Sequence, residues 1–301
     1  MKTPVKLLIR AFSLIVASGL CVPAANAADQ PRLAALDDSA AEETLIFGIV
    51  PQQSASRLAR MWGPLLARLG EDLGVGVQFR TAKDIPTFEA CLAAGAYDLA
   101  YMNPVHYTIF SDAAGYLAVA RQADKKLRGL IVVRKDSDLV ALEDLNGAEI
   151  AFPSPGAFGA SVVPRAELQA RGVDFKPKYV KSHDSVYRAV AAGLMPAGGG
   201  VLRTFNAIAP DLRDQLRVIY RTGAYTPHAI AAAGRVPADI REALQDALMQ
   251  INADAPDLAA SVGMTGFARA TDQEWDDVRA LQLKAADTGI STQETLACPS
   301  G

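Results

Sequence analysis

Along the first third of the chain, short continuous apolar runs take turns with apolar positions spaced three and four apart. TLIFGIVP (44–51) is an apolar run closed by Pro51, which predicts a strand. After it, Leu58, Met61, Trp62, Leu65, Leu66 and Leu69 fall on one helical face, with Gly70 and Gly74 as stop signals. VGVQFRTA (75–82) predicts a second strand, IPTFEACLAAG (85–95) a short helix, and YDLAYMNP (97–104) a third strand running into a polar loop. The order β, α, β, α, β implies a parallel sheet covered by helices on both faces.

The pattern then restarts. YLAVARQ (116–122) and LRGLIVVRK (127–135) predict two strands with a basic connection, where the chain leaves its first lobe. A strand over Ala148–Phe152 and a helix from Gly159 to Arg171 open a second βα block, and LRVIYRT (216–222) adds another strand. HAIAAAGRVP (228–237) predicts a return strand, and the remainder is helical in pattern. The expected fold class is therefore α/β with two lobes, each a mainly parallel sheet flanked by helices. Lobe 1 comprises 44–122 and 228–295, and lobe 2 comprises 123–227. Open parallel sheets place ligands at the carboxyl ends of their strands, here the cleft between the lobes.

Composition adds the compartment. Residues 1–27 combine a basic head (Lys2, Lys6, Arg10), an apolar stretch from Ala11 to Val22 and small residues at Ala25 and Ala27. This predicts a cleavable signal peptide, export to the periplasm, and a linker over 28–43. Removing that segment takes the formal charge from −3 to −6, because three basic residues leave and no acid does. A mildly acidic surface speaks against nucleic acid or anionic membranes as partners. Cys91 and Cys298 remain; one disulfide and two free thiols are both open. No CxxC or CxxH spacing points to a metal, and no cofactor is expected.

LIFGIVPQQSASRLARMWGPLLARLG (45–70), IPTFEACLAAGAYDLAYMNPVHY (85–107) and KSHDSVYRAVAAG (181–193) together resemble the phosphate, phosphite and phosphonate family of periplasmic substrate-binding proteins that serve ABC transporters. The resemblance spans about residues 45–236. It implies a type II-like periplasmic binding protein that captures a small anionic solute and presents it to a membrane permease, or alternatively a periplasmic subunit that reports ligand to a membrane sensor kinase. A monomer is expected, and no enzyme, since the sequence shows no activated nucleophile or metal set.

The resemblance draws the pocket from four places. Gln52, Gln53 and Ser54 follow the first strand; Ser54 is a natural helix N-cap, and the amides can donate to ligand oxygens. Tyr101, Asn103 and His106 close the third strand, with Tyr101 as aromatic wall or hydroxyl donor and ranked ahead of His106, which fits a solvent-facing helix flank equally well. In SPGAFGAS (154–161) the family usually has a run of hydroxyl residues that ligate the anion, whereas this chain has Ala157, Phe158 and Gly159. Backbone N–H groups at a helix start can hold an anion alone, while Phe158 offers an apolar wall or is simply core. Ser182 is a cap candidate, and His183 aligns with a family histidine that contacts the anion. Arg203 pairs with an oxyanion if it faces the cleft and is a solvated charge if it does not. Ser182, His183 and Asp184 are sequence neighbours without a GxSxG elbow, which argues against a hydrolase triad.

Overall fold

The computed structural model describes residues 44–290, 292 and 298; the signal peptide and linker expected over 1–43 lie outside them. The first sheet contains β1 (Thr44–Ile49), β2 (Gly76–Thr81), β3 (Leu99–Met102) and β4 (Tyr116–Gln122). The second contains β5 (Gly129–Arg134), β6 (Ala148–Phe152), β7 (Phe175–Tyr179), β8 (Ala197–Val201) and β9 (Leu216–Arg221). The chain then returns to the first sheet with β10 (Ala229–Ala233) and β11 (Phe267–Arg269). Strand orders are β11-β4-β10-β3-β1-β2 and β7-β6-β8-β5-β9. Each sheet is mixed: β1–β3 and β6–β8 pair in parallel as their βα order requires, whereas β10 and β11 run against the other strands of the first sheet and β5 runs against the other strands of the second. Most strands of each sheet thus share one direction, as expected, with β10, β11 and β5 as the reversed ones.

Helix α1 (Ala55–Leu73) buries Leu58, Trp62, Leu65, Leu66 and Leu69 along its predicted stripe. Gly74 ends it with φ 66°, a left-handed turn that costs glycine nothing, so Gly74 and not Gly70 is the stop. Helices α2 (Ile85–Ala93) and α3 (Pro104–Ala114) are capped by Asp84 and Asn103, whose side chains accept the amides of Thr87 and His106.

The helix expected from Gly159 begins instead as a wide turn, Phe158–Val162, before α4 (Val163–Ala170). Pro164 has no amide to donate back to Ala160, and the ladder opens to i→i−5 spacing, with Val162 donating to the Ala157 carbonyl and Val163 to Phe158. That turn packs onto β8. A Cβ on Gly199 would collide with the Ala160 carbonyl and the Phe152 ring, and one on Gly198 would collide with Val186 of α5 (His183–Ala191). The glycine run Gly198–Gly200 is therefore a strand whose faces must stay bare, not a loop.

Two segments cross between the sheets and pair with each other, Leu127 and Tyr225 exchanging both backbone hydrogen bonds at 2.8 and 2.9 Å. Among the later helices, α6 (Leu202–Ala207), α7 (Pro210–Arg213), α8 (Ala238–Asp254) and α9 (Pro256–Ser261) pack around the sheets. The last described segment touches both lobes. Trp275 packs against Tyr107 at 4.5 Å with the rings tilted by 50°, while Arg165 donates to the Asp287 carbonyl and Ile290 lies against Gly156. Cys298 is disulfide-bonded to Cys91 of α2, which decides the question the sequence leaves open. Among the described residues no helix is long and apolar enough to cross a membrane.

Candidate functional site

The carboxyl end of β1 turns at Pro51 and leaves Gln52 and Gln53 buried ahead of α1. Beside it, Tyr101 sits in β3, and the antiparallel register of β10 brings His228, the residue before it, to the same edge. Tyr101 and His228 stack at 4.9 Å with planes 18° apart, and Trp62 packs against Tyr101 at 4.7 Å. From the second sheet come the Phe158 turn, His183 at the start of α5, and Arg203 in α6. The Arg203 guanidinium lies 5.5 Å from the Tyr101 ring centre, a cation–π contact, and donates to Gln52 Oε1.

That bond orients the Gln52 amide. With its oxygen on Arg203, its nitrogen donates to His228 Nε2 at 3.0 Å, so the His228 proton is on Nδ1. His183 Nδ1 lies 3.1 Å from Thr204 Oγ1, which is itself 2.8 Å from the Tyr187 hydroxyl. The chain has three histidines, and all three are buried. Burial, then the Arg203 charge, pushes His183 down to about 3. Burial and the Arg203 charge, followed by His106 and His183, drive His228 well below its ordinary value. Both are neutral imidazoles at physiological pH.

This has a measurable consequence. Unfolding returns both rings toward 6.5, so the unfolded chain binds more protons below that pH and the folded state loses stability there. The thermal midpoint should hold above about pH 7 and fall as the pH drops through about 6.5, with the His183 contribution still growing down to about 3. Scanning calorimetry at about pH 7.5 and about pH 5 checks it; equal midpoints would mean the imidazoles are not held neutral.

Where these elements meet, a cavity of about 10 Å³ is lined by Gln52, Asn103, Ala157, Phe158, Gly159, His183 and His228. That is room for about one water. Phe158 lines the space, packs edge-on to Tyr225 at 5.3 Å and joins the buried apolar cluster that also holds the core of the first lobe. Tyr101 and Arg203 stand on the outer side of the Gln52–His228 pair, lining a larger groove of about 420 Å³. No Asp or Glu lines either space.

Four expected site residues line neither space. Ser54 is exposed and occupies the N-cap position of α1 without a side-chain cap bond. Gln53 is buried with both amide atoms unpartnered. Ser182 caps α5 by accepting the Ser185 amide. His106 is fully buried, not on a solvent-facing flank: Asn103 caps α3 and turns His106 inward, where Nε2 meets Glu89 at 2.9 Å. Asn103 also donates to the Gly156 carbonyl at 3.0 Å, a direct link between the lobes.

His228 escaped the sequence reading. Its one signal was a rare histidine directly before a return strand, and only the antiparallel pairing of β10 with β3 gives that position meaning.

Comparisons with known proteins agree with this architecture. The PhnD phosphate-import protein of Mycolicibacterium smegmatis is 23% identical over 268 residues, covering 80% of this chain and 83% of that protein. A solved binding-protein component of an ABC phosphonate transporter from Pseudomonas aeruginosa superposes with a TM-score of 0.75 at 18% identity, covering 85% of this chain and 91% of its own. PhnD1 from Prochlorococcus marinus, solved in complex with methylphosphonate, gives 0.73 at 17% identity, with 80% and 97% covered. At such identities these two structures show the shared two-lobed fold. The family profile described as ABC transporter, phosphonate, periplasmic substrate-binding protein matches residues 47–275. Over that span the chain belongs to the phosphonate-binding family of periplasmic substrate-binding proteins, which bind a small ligand for a membrane permease and are not enzymes.

Proposed function

We propose that this chain, exported and monomeric, captures a small phosphonate-class oxyanion between a lobe of residues 44–122 with 228–295 and a lobe of residues 123–227. The observation that carries the reading is the electrostatic make-up of the convergence: the Arg203 guanidinium stands against Tyr101 and Gln52, His183 and His228 are neutral, and no carboxylate lines either space. Arg203 supplies the charge, and its planar fork suits two oxygens of one tetrahedral group. His183 Nδ1 is engaged by Thr204 Oγ1 at 3.1 Å, so Nε2 is the ring nitrogen that can meet the ligand. Amides at the start of the Phe158 turn add donors that need no side chain.

Phe158 shapes the preference. It replaces hydroxyl donors with a ring, so a bare phosphate finds fewer charge-assisted bonds while a carbon substituent on phosphorus finds an apolar face. The cavity of about 10 Å³ is smaller than either anion, and capture therefore includes a parting of the lobes or a swing of Phe158, with binding selecting the state that fits. Methylphosphonate is the ligand bound to PhnD1 of P. marinus, and phosphate names the M. smegmatis relative; both belong to the class proposed. The family membership favours delivery to a permease over the sensory alternative.

Titration calorimetry of residues 28–301 with methylphosphonate and with phosphate tests the reading. Methylphosphonate should bind more tightly, by about tenfold for one charge-assisted hydrogen bond lost to phosphate. Tighter binding of phosphate would overturn the role given to Phe158, and no heat with either would overturn the ligand class.

A further inference from the structure

The groove outside the Gln52–His228 pair has a charge unlike that of the rest of the chain. The protein carries 33 acidic and 30 basic residues. Yet the groove is lined by Arg57, Lys125, Lys126, Arg128 and Arg203 and by no acid. Two of these cations have partners beyond the lining. Lys126 lies 3.5 Å from Asp277, and Arg57 acts on the half-buried Asp184. Arg128 donates to the Thr222 carbonyl, which fixes it without neutralising it. Clustering five cations in an acidic protein costs self-repulsion, and an anionic occupant relieves that cost.

Three features make the groove part of a binding site. It is concave, with a volume of about 420 Å³. Its inner wall is Tyr101, Arg203 and His228, and His228 also lines the small inner cavity. Tyr101 is 97% buried, yet its hydroxyl makes no hydrogen bond to any described residue. Met61 and Leu127 add an apolar flank.

We propose that this groove is a second anion subsite, so that the physiological ligand is a small molecule carrying at least two phosphoryl or phosphonyl groups, one on Arg203 and the other among Lys125, Lys126 and Arg128. The inference rests on the oxyanion reading of the inner site, and the two are separable. A single tetrahedral group uses Arg203 and leaves the outer cations unused; a ligand with a second charged group uses both ends.

The test uses the processed chain and two probes, inorganic pyrophosphate and methylphosphonate, titrated by calorimetry at low and at physiological salt. Pyrophosphate should bind about tenfold more tightly at low salt, and the advantage should shrink as salt screens the exposed lysines. In the Lys125→Gln, Lys126→Gln double variant the ratio of pyrophosphate to methylphosphonate affinity should fall by about tenfold, each exposed cation contributing a factor of about two to five. Circular dichroism establishes that the variant is folded. Pyrophosphate binding no tighter than methylphosphonate, or a ratio unmoved by the double substitution, overturns the groove proposal. If pyrophosphate binds in this lysine-dependent way and methylphosphonate does not bind, the groove stands and the inner-site reading falls.

Discussion

Replacing Arg203 with Gln is expected to weaken methylphosphonate binding by about ten- to a hundredfold, the value of one to two charge-assisted hydrogen bonds lost from a partly buried site. The argument is one of supply. His183 and His228 are neutral, Lys125 and Lys126 are exposed at the mouth, and Arg203 alone brings a positive charge to the Tyr101 ring and the Gln52 amide. Its loss also frees the Gln52 amide to turn, which disturbs the hydrogen bond to His228. Arg203→Lys should recover only part of the affinity, because an ammonium lacks the planar fork. Calorimetry on both variants decides the matter. Affinity within about threefold of the parent in Arg203→Gln would remove Arg203 from the site.

The second large effect concerns stability. Cys91 and Cys298 close a loop with a sequence separation of 207 residues, and opening so long a loop releases about 2–5 kcal/mol of constraint on the unfolded chain. Cys298→Ala leaves Cys91 as a small buried group and so isolates the cross-link from core packing. At about 2–4 °C per kcal/mol for a chain of this size, the thermal midpoint should fall by about 5–15 °C. The parent protein heated with reductant should follow the variant. A midpoint within about 2 °C of the parent would mean the bond contributes nothing to stability.

Much of this fold is legible from hydrophobic periodicity. The runs at β1 to β6, β9 and β10 and the stripe of α1 follow from local pattern alone. What escaped has a physical reason in each case. β8 reads as Ala-Gly-Gly-Gly-Val, a loop by composition, because its faces are filled by Phe152, Val186, Tyr187 and the Ala160 carbonyl rather than by side chains of its own. β7 carries Lys176, Pro177 and Lys178, the composition of an edge strand that must not recruit another. In the candidate site, the family resemblance pointed to Gln52, Tyr101, Phe158 and His183, which sit at or near strand and helix ends. The groove did not show itself that way. Its basic connection at Lys125–Arg128 was visible, but that it faces Arg57 and Arg203 depends on how the sheets meet.

The path of the final segment sets a mechanical condition on ligand entry. It leaves the Trp275 region of one lobe, leans on the Pro155–Gly156 turn of the other, and is sewn back to the first through Cys91. Together with the paired strands at Leu127 and Tyr225, it makes a third connection between the lobes. Ligand entry by a parting of the lobes therefore has to act on this connection as well as on the two crossing strands.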